Sequence, residues 1–305
     1  MILCCGESLI DMVPDQGAYR PLPGGSVFNT AIALGRLGAN VRYLWPLSED
    51  RFGAALRQML DDSHVDWALC PATPRPTALA FVHLGEAGEA EYSFHDEGSA
   101  GRNFEPAALP NLPKDTEALF IGGISLVREP CGGAVEELAL RAAQAGVPIM
   151  LDPNIRPGFI ESETETRARL GRLMRLAQIV KLSQADRDWL FPDLGGDELA
   201  EEILGRGAKL VVLTSGAEGA AAYTSTLRRE RGSEAAELAD TIGAGDSFNA
   251  GLLAALSAQG ALSGAGLGAL DEAALDDAMA LAARASAVTV SRPGANPPWR
   301  HELPE

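Results

Sequence analysis

Short, almost wholly apolar runs alternate with segments whose apolar residues recur at helical spacing along most of this chain. "ILCC" (from Ile2) reads as a strand, "VFNTAIALGRLG" (from Val27) as a helix, "VRYLWPL" as a strand and "GAALRQML" as a helix. The pattern resumes with "ALFIGG", "GAVEELALRAAQAG", "VPIMLDPN", "ETRARLGRLMRLAQ", "IVKLS", "GDELAEEILGRG" and "KLVVLTSG", strand and helix in turn. A helix after Gly245 and a last one around "LDDAMALAARASAVTV" complete it. Apolar residues on both sides of a strand need cover on both faces, and parallel neighbours need a crossover between them. The expected fold is therefore α/β, a three-layer α/β/α domain around a mainly parallel sheet. In such sheets ligands bind beyond the carboxyl ends of the strands, where the polar motifs of this chain fall.

Two strand-like stretches break the alternation, "MVPDQGAYRPLP" and "TALAFVHLGEAGEAEYSFHDEG". The second holds a Gly-Glu-Ala-Gly turn between alternating runs, a hairpin signal. Together they read as a small β-sheet lid, residues 12–22 and 76–99, over a core of 1–11, 23–75 and 100–305. "SAQGALSGAGLGAL" reads as a loose interhelical connection. With 46% hydrophobic and 22% charged residues, 305 residues suffice for a large core. The formal net charge of −17 repels phosphate backbones and anionic lipid, so neither nucleic acid nor membrane is an expected partner. No apolar run approaches the ~20 residues that span a bilayer. Cys4, Cys5, Cys70 and Cys131 lack disulfide or metal spacing and read as reduced. A cytoplasmic location is expected.

The segment "DTIGAGDSFNAG" places Gly243, Ala244 and Gly245 at the mouth of a long apolar helix, with Asp246 in its first turn. Amides at a helix N-terminus have no intrahelical acceptor and carry the positive end of the helix dipole, so this turn can cradle an anion. A carboxylate beside that cradle can take a proton from a hydroxyl while the amides stabilise the group under attack. Taken alone, the acid could equally be a helix-dipole partner and the glycines a simple turn. A second stretch, "LPGGSVFNTAIALGRLGA", sets Gly24 and Gly25 before a helix that carries Asn29, whose amide both donates and accepts. Asp11, after the first strand, can accept two hydroxyl hydrogen bonds. A dinucleotide-binding glycine fingerprint is missing after the first strand. None of the three lysines, Lys114, Lys181 and Lys209, follows a glycine, so there is no P-loop.

"GGSVFNTAIALGRLGA" and "DTIGAGDSFNAG" resemble the two signature segments of the ribokinase-like (PfkB) carbohydrate kinases. "LSEDRFG", "LDPNIRP" and "LTSGAEGA" match further family segments in the family's order, so the resemblance spans nearly the whole chain. It implies a ribokinase-like core with a β lid, ATP and Mg2+ as cofactors, and leaves a monovalent cation open as a third. It implies that Asp246 is the catalytic base and that Gly243, Ala244 and Gly245 form the anion hole. Arg156 would face the sugar or the transferring phosphate. Asp11, Gly24, Gly25 and Asn29 would bind sugar hydroxyls, and Thr214, Ser215, Gly216 and Gly219 would lie by the nucleotide, with "SRPGANPP" beside the adenine. The family's Asn-x-x-Glu segment is replaced by Ser183 and Asp186. Ser183 is kept as a nucleotide-side residue and Asp186 as an outer-sphere metal residue.

In the lid, Phe94 can cover the apolar face of a sugar ring and Arg102 can reach hydroxyls or phosphate. Kinases of 2-keto-3-deoxygluconate commonly carry Arg where this chain has Asp96. Adjacent Asp96 and Glu97 would disfavour an acidic sugar. This segment, with "SLVREP", is similar to bacterial fructokinases, which implies phosphorylation of D-fructose at its 6-hydroxyl. A 2-keto-3-deoxygluconate kinase or ribokinase-type kinase is the alternative, and a sugar sensor without turnover the non-enzymatic one. A homodimer through exposed lid edges is a further expectation.

Overall fold

The computed structural model describes residues 1–84, 90–234 and 237–304. In chain order the strands are β1 (Ile2–Cys5), β2 (Leu9–Asp15), β3 (Ala18–Gly24), β4 (Val41–Leu44), β5 (Leu47–Ser48), β6 (Ala72–Thr73) and β7 (Leu79–Leu84). They continue with β8 (Ala90–His95), β9 (Ala118–Gly122), β10 (Ile149–Asp152), β11 (Ile179–Ser183), β12 (Leu210–Thr214), β13 (Ala220–Tyr223) and β14 (Arg228–Arg231). The helices are α1 (Ser26–Arg36), α2 (Arg51–Asp62), α3 (Cys131–Gln144), α4 (Glu163–Leu176), α5 (Gln184–Leu190), α6 (Gly196–Gly205), α7 (Ala244–Ala258), α8 (Gly264–Gly268) and α9 (Glu272–Val290).

The large sheet runs β14-β13-β12-β11-β10-β9-β1-β4. It is parallel from β4 to β12, and β13 and β14 close that edge as antiparallel hairpin strands. Right-handed crossovers fix the layers. The step from β1 to β4 moves one way along the sheet, while those from β9 to β12 move the other way. Helix α1 therefore covers one face, and α3, α4 and α6 the opposite one. Helix α7 packs between α1 and α9. That position explains why residues 246–256 are all buried rather than forming a stripe. The chain reverses direction between β1 and β9, so their carboxyl ends open a crevice at the topological switch point.

The smaller sheet, β3-β2-β7-β8, begins at Leu9, three residues before the sequence boundary, because β2 follows β1 after three residues. Asp11 therefore stands in the small sheet and not at the end of a core strand. The Gly85–Gly88 turn lies outside the described residues. The stretch read as a loose connection contains α8, a single turn whose amide at Gly266 donates to Ser263 Oγ (2.9 Å). Among the described residues no helix is long and apolar enough to cross a membrane. All four cysteines are free, and burial pushes the thiols of Cys70 and Cys131 up to about 12.

Candidate functional site

Two cavities open at the carboxyl ends of the parallel strands and meet at the start of α7. The polar one, about 450 Å³, is lined from the switch point by Glu7, Leu9, Asp11, Gly25, Ser26 and Asn29. Its far wall holds Asn154, Arg156, Lys181, Gly243, Gly245 and Asp246. The second, about 380 Å³, is mainly apolar, with Ala217, Ala220, Phe248, Ala283, Ala287 and Val290 in its walls. Thr214, Gly216, Thr241 and Gly245 line both. A hydroxylated ligand and a flat apolar ring system can thus lie end to end across one glycine turn.

Gly243 makes that turn with a left-handed backbone (φ +78°), and a Cβ there would come within 2.8 Å of the Ala295 side chain. The first intrahelical bond of α7 runs from the Ser247 amide to Gly243 O (2.9 Å), so the amides of Gly245 and Asp246 lie ahead of the helical ladder. Ala244 differs from the expectation. Its amide donates to Thr241 O (3.3 Å) and its side chain lines only the apolar cavity.

Asp246 is 7% exposed. Its Oδ1 accepts from Ser26 Oγ (2.8 Å) and its Oδ2 from Asn29 Nδ2 (2.9 Å). Asn29, expected to hold sugar hydroxyls, thus commits one amide hydrogen to the carboxylate. Burial raises the Asp246 pKa to about 6, with the two hydrogen bonds and Lys181 opposing and Asp152 adding to the rise. Asp11 rises to about 7 through burial and then the nearby charge of Asp246. Gly24 makes room for it, since a Cβ there would sit 2.1 Å from Asp11 Oδ2. Gly24 is not in the cavity lining, whereas Gly25 is. Gly25 takes φ +113° as the N-cap of α1, where a Cβ would be 2.6 Å from Glu7 O.

Glu7 carries a third raised carboxyl, pushed by burial to about 7. It accepts from the amides of Ser26 (3.0 Å) and Ser125 (3.2 Å), tying α1 to the loop after β9. On the opposite wall Lys181 and Asp152 form a buried ion pair (3.1 Å; side chains 4% and 1% exposed). Burial works against the Lys181 ammonium, but Asp152 and Asp186 outweigh it and hold its pKa up. Its Nζ lies within 3.3 Å of where a Gly245 Cβ would be, so a cation stands beside the amide turn. The arrangement sets a buried carboxylate, amides ahead of the helical ladder and a fixed positive charge around one point, the kinds of group that transfer of a phosphoryl group to an alcohol can use.

A family model described as pfkB family carbohydrate kinase matches residues 1–302. The chain belongs to this family. A curated fructokinase of Rhizobium leguminosarum bv. trifolii is 47% identical to the kinase over 280 residues, 90% of this chain and 85% of the relative. A crystal structure of fructokinase with bound ATP from Xylella fastidiosa superposes with a TM-score of 0.90 at 28% identity, covering 99% of this chain and 94% of the other. A fructokinase double mutant from Vibrio cholerae O395, with fructose, ADP and potassium ion bound, gives 0.85 at 27% identity, covering 96% and 93%. The kinase is a phosphotransferase that acts on a sugar, on a ribokinase-like fold.

Other expected residues of the kinase fall into three groups. Thr214, Gly216, Ser183, Arg156 and Phe94 line the polar cavity, and Gly219 lines the apolar one. Ser215, the first residue past β12, turns away. Its Oγ receives Arg187 Nη2 (3.0 Å) outside both cavities. "SRPGANPP" does not line the apolar cavity either; Ala295 backs the Gly243 turn, and α9 supplies the wall.

Arg102 and Asp96 correct the reading of the lid. Arg102 donates through Nε to Glu129 O (2.8 Å) and pairs with Asp96 (3.5 Å) and Glu161 (3.3 Å). Neither Arg102 nor Asp96 lines the polar cavity, since each charge is answered by a neighbour. Phe94 does line it, packed against Phe159 with ring centroids 3.5 Å apart. Asp186 is buried, with Oδ1 accepting from the Ile155 amide (2.7 Å) and Oδ2 from the Ser183 amide (2.8 Å) and hydroxyl (2.5 Å). The pair therefore closes a capping box on α5 and pins the loop that carries Asn154 and Arg156. Among the described residues no group of three or more His, Cys, Asp or Glu could hold a metal ion.

Glu7, Ser26, Asn154, Phe159 and Lys181 escaped the reading of the sequence. Only Lys181 left a usable signal. A lone lysine inside the apolar strand "IVKLS" must find a buried counter-charge.

Proposed function

We propose that this chain transfers the γ-phosphoryl group of ATP to the primary 6-hydroxyl of D-fructose, giving fructose 6-phosphate and ADP. The observation that carries the reading is the junction of the two cavities at Gly245, with the Asp246 carboxylate on the polar side. Fructose would occupy the polar cavity against Asp11, Gly25 and Asn29, with Phe94 on its apolar face. The adenosine would occupy the apolar cavity near Gly216 and Gly219, with Thr214 at the phosphates. Asp246 would take the hydroxyl proton as the new O–P bond forms and the bond from the β,γ-bridging oxygen to the γ-phosphorus breaks. The amides of Gly243 and Gly245, with Lys181 and Arg156, would answer the charge on the phosphoryl oxygens. Mg2+ would neutralise the ATP phosphates, held mainly by those phosphates and water. Potassium is supported by the Vibrio relative.

Fructose is favoured over an acidic sugar by Glu7, Asp11 and Asp246, which line the polar cavity and, once ionised above about pH 6 to 7, would repel a substrate carboxylate on their wall. The 47% identity to a fructokinase supports the same choice. In a coupled assay of ADP formation over fructose, ribose, glucose and 2-keto-3-deoxygluconate, fructose should give the largest kcat/KM. A higher value for 2-keto-3-deoxygluconate would overturn the assignment, and sugar binding without ADP would mark a sensor.

A cytoplasmic location is supported by ATP as co-substrate and by the free thiols. A homodimer through the small sheet is supported by its edge strand β3, where residues 18–21 are exposed. Light scattering should then give twice the chain mass, and Tyr19→Lys should halve it. A monomer at working concentration would refute the dimer.

A further inference from the structure

Serine at the start of a helix ordinarily serves as its N-cap, but in α1 that place belongs to Gly25, which has no side chain to cap with. Ser26 stands one residue further on. Its amide goes to Glu7, and its hydroxyl crosses to α7, 220 residues away in sequence. We propose that Ser26 is a positioning residue for the catalytic base. Its hydroxyl, aimed by Asn154, fixes Oδ1 of Asp246 so that the carboxylate presents a set lone pair to the sugar hydroxyl. The proposal rests on the reading of Asp246 as the base.

The direction of the relay follows from the donors available. A serine hydroxyl has one hydrogen and two lone pairs. Asn154 Nδ2 donates into Ser26 Oγ at 2.7 Å, which leaves the single hydroxyl hydrogen for Asp246 Oδ1 at 2.8 Å. Asn29 holds Oδ2 from the next turn of α1. The carboxylate is thus gripped at both oxygens by α1. Asn154 is itself fixed. It has a left-handed backbone (φ 44°) in the loop after β10, and Asp186 accepts from the amide of the following residue, Ile155 (2.7 Å). The departure from the family's Asn-x-x-Glu segment thereby acquires a connection to the base through Ser183, Asp186, the loop, Asn154 and Ser26.

Hydrogen bonds to a carboxylate favour its ionised form, and only an ionised Asp246 can accept the hydroxyl proton. Three charged groups also act on it. Asp11 from β2 and Asp152 from β10 oppose ionisation, and Lys181 from β11 favours it. Removing the Ser26 hydroxyl leaves those three unchanged and withdraws one charge-assisted bond.

The test is the pH profile of kcat for full-length Ser26→Ala and Asn154→Ala, with fructose affinity measured by calorimetry and Asp246→Asn as the reference. In Ser26→Ala the acid limb should move up by about one pH unit, with kcat falling most at low pH. Fructose affinity should stay within about threefold. Asn154→Ala should move the limb the same way by less, and it carries the test if the serine variant does not fold. An acid limb at its original pH in the folded variants would overturn the proposal. A loss of fructose affinity as large as the loss of kcat would do so as well, by making Ser26 a sugar ligand. Undiminished turnover in Asp246→Asn would instead remove the base itself, a separate failure.

Discussion

Asp246→Asn should lower kcat by about 10²-fold or more while fructose and ATP bind nearly as before. The substitution keeps the shape of the side chain and removes its ability to take a proton. It also replaces a raised carboxyl with a group that does not titrate, so the acid limb of the residual activity should disappear. Single-turnover kinetics and calorimetric titration separate the two effects. Turnover that survives while fructose affinity collapses would make Asp246 a sugar ligand and leave the chemistry without a base.

Lys181→Met is expected to damage folding and catalysis by separate routes. Asp152 would be left buried without its counter-ion, a loss of about 3–5 kcal/mol of the kind measured when one partner of an interior pair is removed. Urea unfolding should therefore show a much lower midpoint. The combined change Lys181→Met with Asp152→Asn should recover much of that stability, because the acid that paired with the lysine is then neutral, and Asn249 Nδ2, which donates to Asp152 Oδ2 (2.7 Å), keeps an acceptor. Activity should not return with it, since the cation beside Gly245 is still missing. Full activity in the stable double variant would confine Lys181 to a structural role.

Periodicity made the parallel layers legible, because an apolar run of strand length and a run at helical spacing bury different faces. It failed where that signal is weak. Ala220–Tyr223 is nearly all alanine, Arg228–Arg231 is a charged edge strand, and neither shows an alternation that marks one buried face. The start of the small sheet was misplaced because Leu9 and Ile10 carry the same apolar character as β1.

At the site, backbone features were easier to read than side-chain partners. The glycine turn and its aspartate are contiguous, so their chemistry shows in the sequence. Arg102 was misjudged because Asp96, Glu129 and Glu161, which hold it, meet it only in the folded chain. Ser26 was passed over for the same reason. A hydroxyl one place beyond the usual capping position looks idle until α7 arrives beside it.

The shared glycine junction sets a further requirement on this enzyme. To a phosphoryl group poised there, a water molecule and a sugar alcohol offer much the same oxygen, and Asp246 would accept a proton from either. Fidelity must then come from crowding, with the hexose displacing solvent from the compartment it fills. Leu9, Asp11 and Phe94 bound that compartment from a sheet none of whose described residues lines the apolar cavity. Wasteful hydrolysis of the nucleotide would then be restrained by residues of the small sheet, which line the polar cavity and not the apolar one.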